Sequence, residues 1–310
     1  MTGLRVLSLG GGTQSCALAL MSAAGELPKL DHIIFADTQG ELPETYAYLD
    51  YLRPIVEAAG IPLHVITAGS LEDALLSETP TSKNPTPPAH VLNPDGTKGR
   101  IGQYRCSYYY KRRIITAATK KLVGCRGEWK KRAGAVEQWI GFSLEEIGRM
   151  RQADECRCGH KARAHGGACE KCDCEAYEPW QVNRWPLIEL RMKRADTQRW
   201  FARNGHPTPV RSACWFCPNS GNDRWQALRS EHPDLFERAC VLDETIRGGG
   251  GFNARGNQPF NGQMFLHGSL SPLREADIRT ARQVTADSGQ GEMFDEDVLA
   301  LDCSAGVCFT

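Results

Sequence analysis

"VLSLGGGTQSCALALM", residues 6–21, sets an apolar run against three consecutive glycines and follows them with a helix-forming Ala/Leu stretch. Val6, Leu7 and Leu9 read as a buried strand within residues 4–9, and residues 13–24, closed by Gly25, read as a helix. Between them, Gly10, Gly11 and Gly12 let the main chain approach an anion closely, while the N–H groups of the next turn point at it. Ser8 and Ser15 add hydroxyl donors, and Thr13 and Gln14 complete the loop. No lysine follows the glycines as in a Walker loop, so a phosphate here would be held chiefly by backbone N–H groups.

The strand-helix alternation continues outward from this stretch. "HIIFAD" (32–37) reads as a second strand, residues 43–60 as a helix ending in glycine, and "PLHVITA" (62–68) as a third strand. Such alternation predicts an α/β fold, a parallel sheet flanked by helices, with ligands at the carboxyl ends of the strands, where the glycine loop and Asp37 fall. Residues 77–104, rich in Pro, Asn, Thr and Gly, read as a long surface loop or lid. A helix is expected over 106–124, a strand and turn over 135–143, and a helix from "LEEIGRM". The expected organisation is an α/β domain over 1–154, an insertion over 155–178, the rest of the α/β domain over 179–247, and a Gly-rich linker with a Cys-containing flexible tail over 248–310. Within 263–273 a packed return segment is expected, with His267 structural rather than catalytic.

The 310 residues are 41% hydrophobic and 24% charged, with a mean hydropathy of −0.42, the composition of a soluble globular protein. No run of about 18 apolar residues is present to span a membrane, and the start lacks the pattern of a signal peptide, so a cytoplasmic location is expected. A net charge of zero argues neither for nor against nucleic acid. Locally, however, ten Lys and Arg residues between 105 and 132 face only Glu128; this is either a solvated helix face or a seat for an anionic partner, nucleotide or nucleic-acid backbone.

Thirteen cysteines in such a chain point to metal binding or redox chemistry before disulfides. Cys16, Cys125 and Cys240 stand alone and read as plain buried thiols. The insertion offers Cys156, Cys158, His160, His165, Cys169, Cys172 and Cys174 to Zn2+, more ligands than one tetrahedral site uses. About 24 residues cannot build a core, so metal binding would supply their folding energy.

Three motifs carry a family resemblance. The glycine loop resembles the modified P-loop (PP-loop) of ATP pyrophosphatases and adenine nucleotide α-hydrolases, with Gly10 in place of a serine and Gln14 in place of an aspartate. "DTQGELPET" (37–45) is similar to the signature of phosphoadenosine phosphosulfate (PAPS) reductases. "GFSLEEIGRM" (141–150) looks like the family's second anion-binding turn, through Gly141, Glu146 and Arg149. The resemblance implies an enzyme acting at the α-phosphate of ATP or a PAPS-like adenine nucleotide, with Mg2+ bridging the phosphates. Residues 8–15, Asp37 and Thr38 would line the nucleotide, and Lys111 and Arg149 would offset its charge.

Cys106 before a basic helix and Cys214-x-x-Cys217 resemble the iron–sulfur branch of the family, which implies a [4Fe–4S] cluster on three thiolates. A fourth position would be filled by Cys303 or Cys308 or left open; a structural zinc on the same cysteines is the alternative. The expected reaction is adenylation of a nucleic acid followed by iron–sulfur-assisted sulfur transfer, sulfide from a sulfur donor being carried on the cluster, with Cys106, Cys303, Cys308 and Asp37 as catalytic candidates. The alternatives are reduction of a sulfonucleotide by a tail cysteine with thioredoxin, and a non-catalytic nucleotide- or nucleic-acid-binding module. A homodimer is compatible with each.

Overall fold

The computed structural model describes residues 3–77, 89–100, 105–124, 135–150, 180–248 and 261–287. Its centre is a five-stranded, wholly parallel sheet built from β1 (Leu4–Leu9), β2 (His32–Asp37), β3 (Leu63–Thr67), β6 (Val136–Ile140) and β7 (Gln181–Arg184). The strand order is β3-β2-β1-β6-β7. The chain thus moves outward from β1 to β3, then returns to the other side of β1, and the order reverses between β1 and β6. In sheets of this kind the crevice at that reversal, beyond the carboxyl ends, is where ligands sit.

Alternation along the strands sorts their side chains to two faces. Leu7, Leu9, Ile33 and Phe35 pack beneath α1 (Thr13–Ala23), α2 (Pro43–Ala58) and α7 (Arg194–Arg203). Val6, Ile34, Ala36 and Val136 face the other way, against Ile115 and Trp180. Ile115 belongs to α5 (Arg113–Leu122), which continues α4 (Arg105–Ser107) through a π-type turn over Tyr108–Arg112. The expected α/β architecture with helices on both faces is therefore present.

A second apolar cluster lies beside the sheet, formed by α3 (Leu71–Leu76), α8 (Asn222–Glu231), α9 (Pro233–Ile246) and the Trp215-Phe216 pair. Here the structure corrects the reading of 77–104 as one long loop. Within it, β4 (His90–Leu92) and β5 (Lys98–Arg100) form an antiparallel hairpin, and β8 (Gln263–Phe265) pairs with the other edge of β4. Strands of three residues carry too little periodicity to be read locally, and the partner of β4 comes from the far end of the chain. The return segment over 263–273 is packed as expected: Met264, Phe265, Leu266 and Leu273 are all buried. It is pinned by Asp243 of α9, whose carboxylate accepts from the main-chain N–H groups of Leu266 (2.7 Å) and Leu273 (3.0 Å) and pairs with Arg247. His267, bonded to Ser269 and Asn222, belongs to this packing.

One further local difference lies after β6. Residues 144–149 form a 3-10 helix rather than an α-helix, closed at its start by a capping box between Ser143 and Glu146. After it, the described chain resumes at Trp180 and passes through β7 and the short helix α6 (Pro186–Glu189) into α7, which stops before Gly205 at φ 69°.

Candidate functional site

The glycine loop lies at the carboxyl end of β1, against the order reversal. Gly12 caps α1 in an extended conformation with no side-chain cap, and no acidic residue occupies the first turn. Among the described residues the first N–H groups of α1 therefore have no side-chain acceptor, and they carry the positive end of the helix dipole. Gly11 adopts a φ of +80°, and a Cβ there would meet Thr45 Cγ2 at 3.0 Å, so the position needs glycine on both counts. The Ser15 hydroxyl braces the loop from inside, accepting from Gly10 N (3.1 Å) and donating to the Gly12 carbonyl (3.2 Å). Ser8 is buried, and its hydroxyl accepts from the Gln138 amide of β6 at 3.0 Å.

On the β6 side, the turn at Gly141 packs directly on the start of α1. A Cβ on Gly141 would lie 2.7 Å from Ser15 N and 2.8 Å from Ser15 Cα. The Gln14 amide donates to Glu146 Oε2 (3.2 Å), and the same oxygen accepts from the Ser143 N–H (3.2 Å). Glu146 in turn pairs with Arg149, whose guanidinium stacks over the Phe142 ring, 4.4 Å from its centroid. Gln14, which stands where the related loop has an aspartate, is thus a tie between the glycine loop and the second turn.

On the β2 side, Asp37 Oδ1 accepts from Gln39 N (2.7 Å) and from the Tyr46 hydroxyl (2.9 Å). Burial first, and this hydrogen bond second, hold the Tyr46 phenol protonated well above its ordinary range. Gln39 sits in the left-handed region at φ 57°, a conformation the Asp37 side chain supports by bonding its N–H. The fully buried Glu41 side chain pairs with Lys111 (3.2 Å) and accepts from Ser212 Oγ at 3.0 Å. Ser212 opens the Cys214-x-x-Cys217 segment, which lies against the loop after β2. Trp215 N donates to the Gly40 carbonyl (2.9 Å), and a Cβ on Gly40 would collide with the Phe216 ring at 2.9 Å.

Cys214 is joined to the same place, its sulfur 3.3 Å from Thr38 Oγ1. Burial, reinforced by the Glu41 carboxylate, pushes its thiol up to about 12. Cys106 packs on the same apolar cluster as Cys214. Among the described residues no group of three or more His, Cys, Asp or Glu side chains is arranged to hold a metal ion, Cys106, Cys214 and Cys217 included. As placed, the three cysteines form no such group. The insertion's Cys156, Cys158, His160, His165, Cys169, Cys172 and Cys174, and the tail's Cys303 and Cys308, lie outside the described residues.

The structure thus brings together residues 8–15, Gly141, Glu146 and Arg149 around α1, and Asp37, Thr38, Lys111 and Cys214 around the end of β2. Two participants were not singled out from the sequence. Glu41 stands inside "DTQGELPET", where a buried charge looks like any loop acid, and Ser212 is a serine two residues before a cysteine motif.

No family model matches the chain, and no curated protein does. Among solved structures, phosphoadenylyl-sulfate (PAPS) reductase from Candida auris, in a phosphate complex, aligns with 66% of this chain and 74% of its own. The sequence identity is 14% and the TM-score 0.35. No helix among the described residues is long and apolar enough to cross a membrane.

Proposed function

We propose that the crevice between β1 and β6 binds an adenine nucleotide, phosphates on the 10–15 loop, and that the chain is an enzyme acting at the α-phosphate. One observation carries this reading: three backbone segments converge on the order reversal of the sheet. They are the uncapped start of α1, the Gly141 turn at van der Waals limit against Ser15, and the segment at Ser212. Ser212 N stands 3.6 Å from the Cβ position of Gly12. The uncapped N–H groups at the start of α1, set in this crevice, suit a polyanion. The similarity of "DTQGELPET" to the PAPS reductase signature supports adenine as the base.

In its fuller form the reaction uses Mg2+ and ATP. A carbonyl or phosphate oxygen of a nucleic acid attacks the α-phosphorus, and the bond to the β-phosphate breaks to release pyrophosphate. Hydrosulfide, delivered by a sulfur donor, then attacks the activated carbon or phosphorus, and AMP departs with the oxygen. A polyanionic second substrate is supported by the helix over 105–122: Arg112, Arg113 and Lys121 are exposed, Tyr108 is half-exposed beneath Arg112, and no acidic residue interrupts the stretch 105–124.

The test is pyrophosphate release from ATP with and without added RNA or DNA. Nucleic-acid-dependent release is expected. Sulfite release from PAPS with thioredoxin would replace this reading by the reductive one, with Cys303 or Cys308 taking the sulfonate. Nucleotide binding without turnover under either condition would make the chain a binding module.

A further inference from the structure

We propose that Arg211 is the cation that answers the charge of an anion seated on the 10–15 loop; this rests on the nucleotide reading above. The two cations expected from the sequence to do so are each committed to a carboxylate, Lys111 to Glu41 and Arg149 to Glu146. Each pair is neutral as a unit, and the dipole of α1 supplies only about half an elementary charge. A di- or triphosphate carries several negative charges, more than the dipole and a Mg2+ ion together offset in ATP, which leaves a role for another cation at the rim of the crevice.

Arg211 directly precedes the residue whose backbone reaches that loop. The adjacent Ser212 sets its main-chain N 3.6 Å from the Cβ position of Gly12, and its Cβ 3.6 Å from that of Gly11. The segment is held on both sides: the Tyr48 hydroxyl donates to the Pro207 carbonyl (2.9 Å), Ser212 Oγ donates to Glu41 (3.0 Å) and Trp215 N donates to the Gly40 carbonyl (2.9 Å). Between these anchors Arg211 is exposed, and it makes no hydrogen bond or ion pair with any described residue. A second group in the same wall lacks a partner. Thr45, 1% exposed, packs its methyl on Gly11 while its hydroxyl is buried with no hydrogen bond among the described residues. A guanidinium on a fixed loop, with a planar fork of donors, is suited to phosphate oxygens in a way a lysine is not.

The experiment is calorimetric titration of the full chain with inorganic pyrophosphate and with ATP at low ionic strength, for the unaltered protein, Arg211→Ala and Arg211→Lys. Arg211→Ala is expected to weaken both probes by roughly tenfold and Arg211→Lys by less. The unliganded thermal midpoint should not move, because the side chain is exposed and unbonded. Binding of both probes by Arg211→Ala within about twofold of the unaltered chain overturns the role of Arg211 and leaves the nucleotide reading intact. If the unaltered chain binds neither probe, the nucleotide reading itself fails and this inference falls with it.

Discussion

Gly141→Ala is the sharpest single test of how the crevice is built. No left-handed backbone is at stake at this position, so the whole effect is steric. The added Cβ would stand 2.7 Å from Ser15 N, 2.8 Å from Ser15 Cα and 3.1 Å from the Gln14 carbonyl carbon. All three are main-chain atoms of the first turn of α1, so no side chain can swing aside. Either the turn after β6 or the start of α1 must move by several tenths of an ångström, and overpacking of this kind costs about 1–3 kcal/mol. For a domain of this size each kcal/mol corresponds to about 2–4 °C in Tm. Gly148→Ala is the internal control, since nothing lies within 4 Å of its Cβ position. That variant is expected at or slightly above the unaltered stability. Urea denaturation of the three proteins should therefore separate Gly141→Ala alone, and pyrophosphate binding should fall with it because the loop and the second turn lose register. A Gly141→Ala protein that is as stable as Gly148→Ala and binds pyrophosphate normally would refute this account of the crevice.

Three other perturbations follow from the same structure. Glu41→Ala removes the fully buried carboxylate that Lys111 and Ser212 share, and breaking such a pair costs up to about 3–5 kcal/mol; a urea midpoint unchanged by the substitution would contradict the pairing. Asp243→Ala releases the N–H groups of Leu266 and Leu273 together with Arg247. Limited proteolysis should then cut within 263–273 well before the rest of the fold opens, and a digestion pattern identical to the unaltered chain would count against the pin. Burial holds His90 and His267 below the ordinary histidine value of 6.5; Arg100 lowers His90 further, and His90 lowers His267 further. His90 faces the Pro218 carbonyl, Arg100 and His267; His267 faces Asn222, Ser269 and Asp277. Because the unfolded chain binds these protons at higher pH than the folded chain does, stability should fall as pH drops through about 6.5. His267→Gln should remove part of that fall in Tm between pH 7.5 and 5.5, and an undiminished fall would show that other groups cause it.

The elements legible in the sequence are those whose signal is local. β1, α1, β2, α2 and β3 lie where apolar runs, glycine stops and the Pro43 helix start place them, because strand burial and helix caps leave their marks within a few residues. The candidate loop was legible for the same reason: three glycines after a strand describe a close approach before any tertiary contact is known. The β4-β5-β8 sheet was not, since its strands are three residues long and its pairing joins distant parts of the chain. The roles of single polar residues were also hidden. Gln14 reads as a phosphate ligand until Glu146 is seen beside it, and Lys111 reads as an available cation until Glu41 is.

By itself, then, the sequence determined a parallel α/β frame and an anion-ready loop at the end of its first strand. Only the tertiary structure decided that β6 returns beside β1, so that the order reversal falls at that loop and Gly141 closes on it. It also decided which charges cancel and which stay available at the rim. The physical reason is the same in both cases: strand order and ion pairing are set by which distant segments bury surface together, and no local pattern of residues encodes that choice.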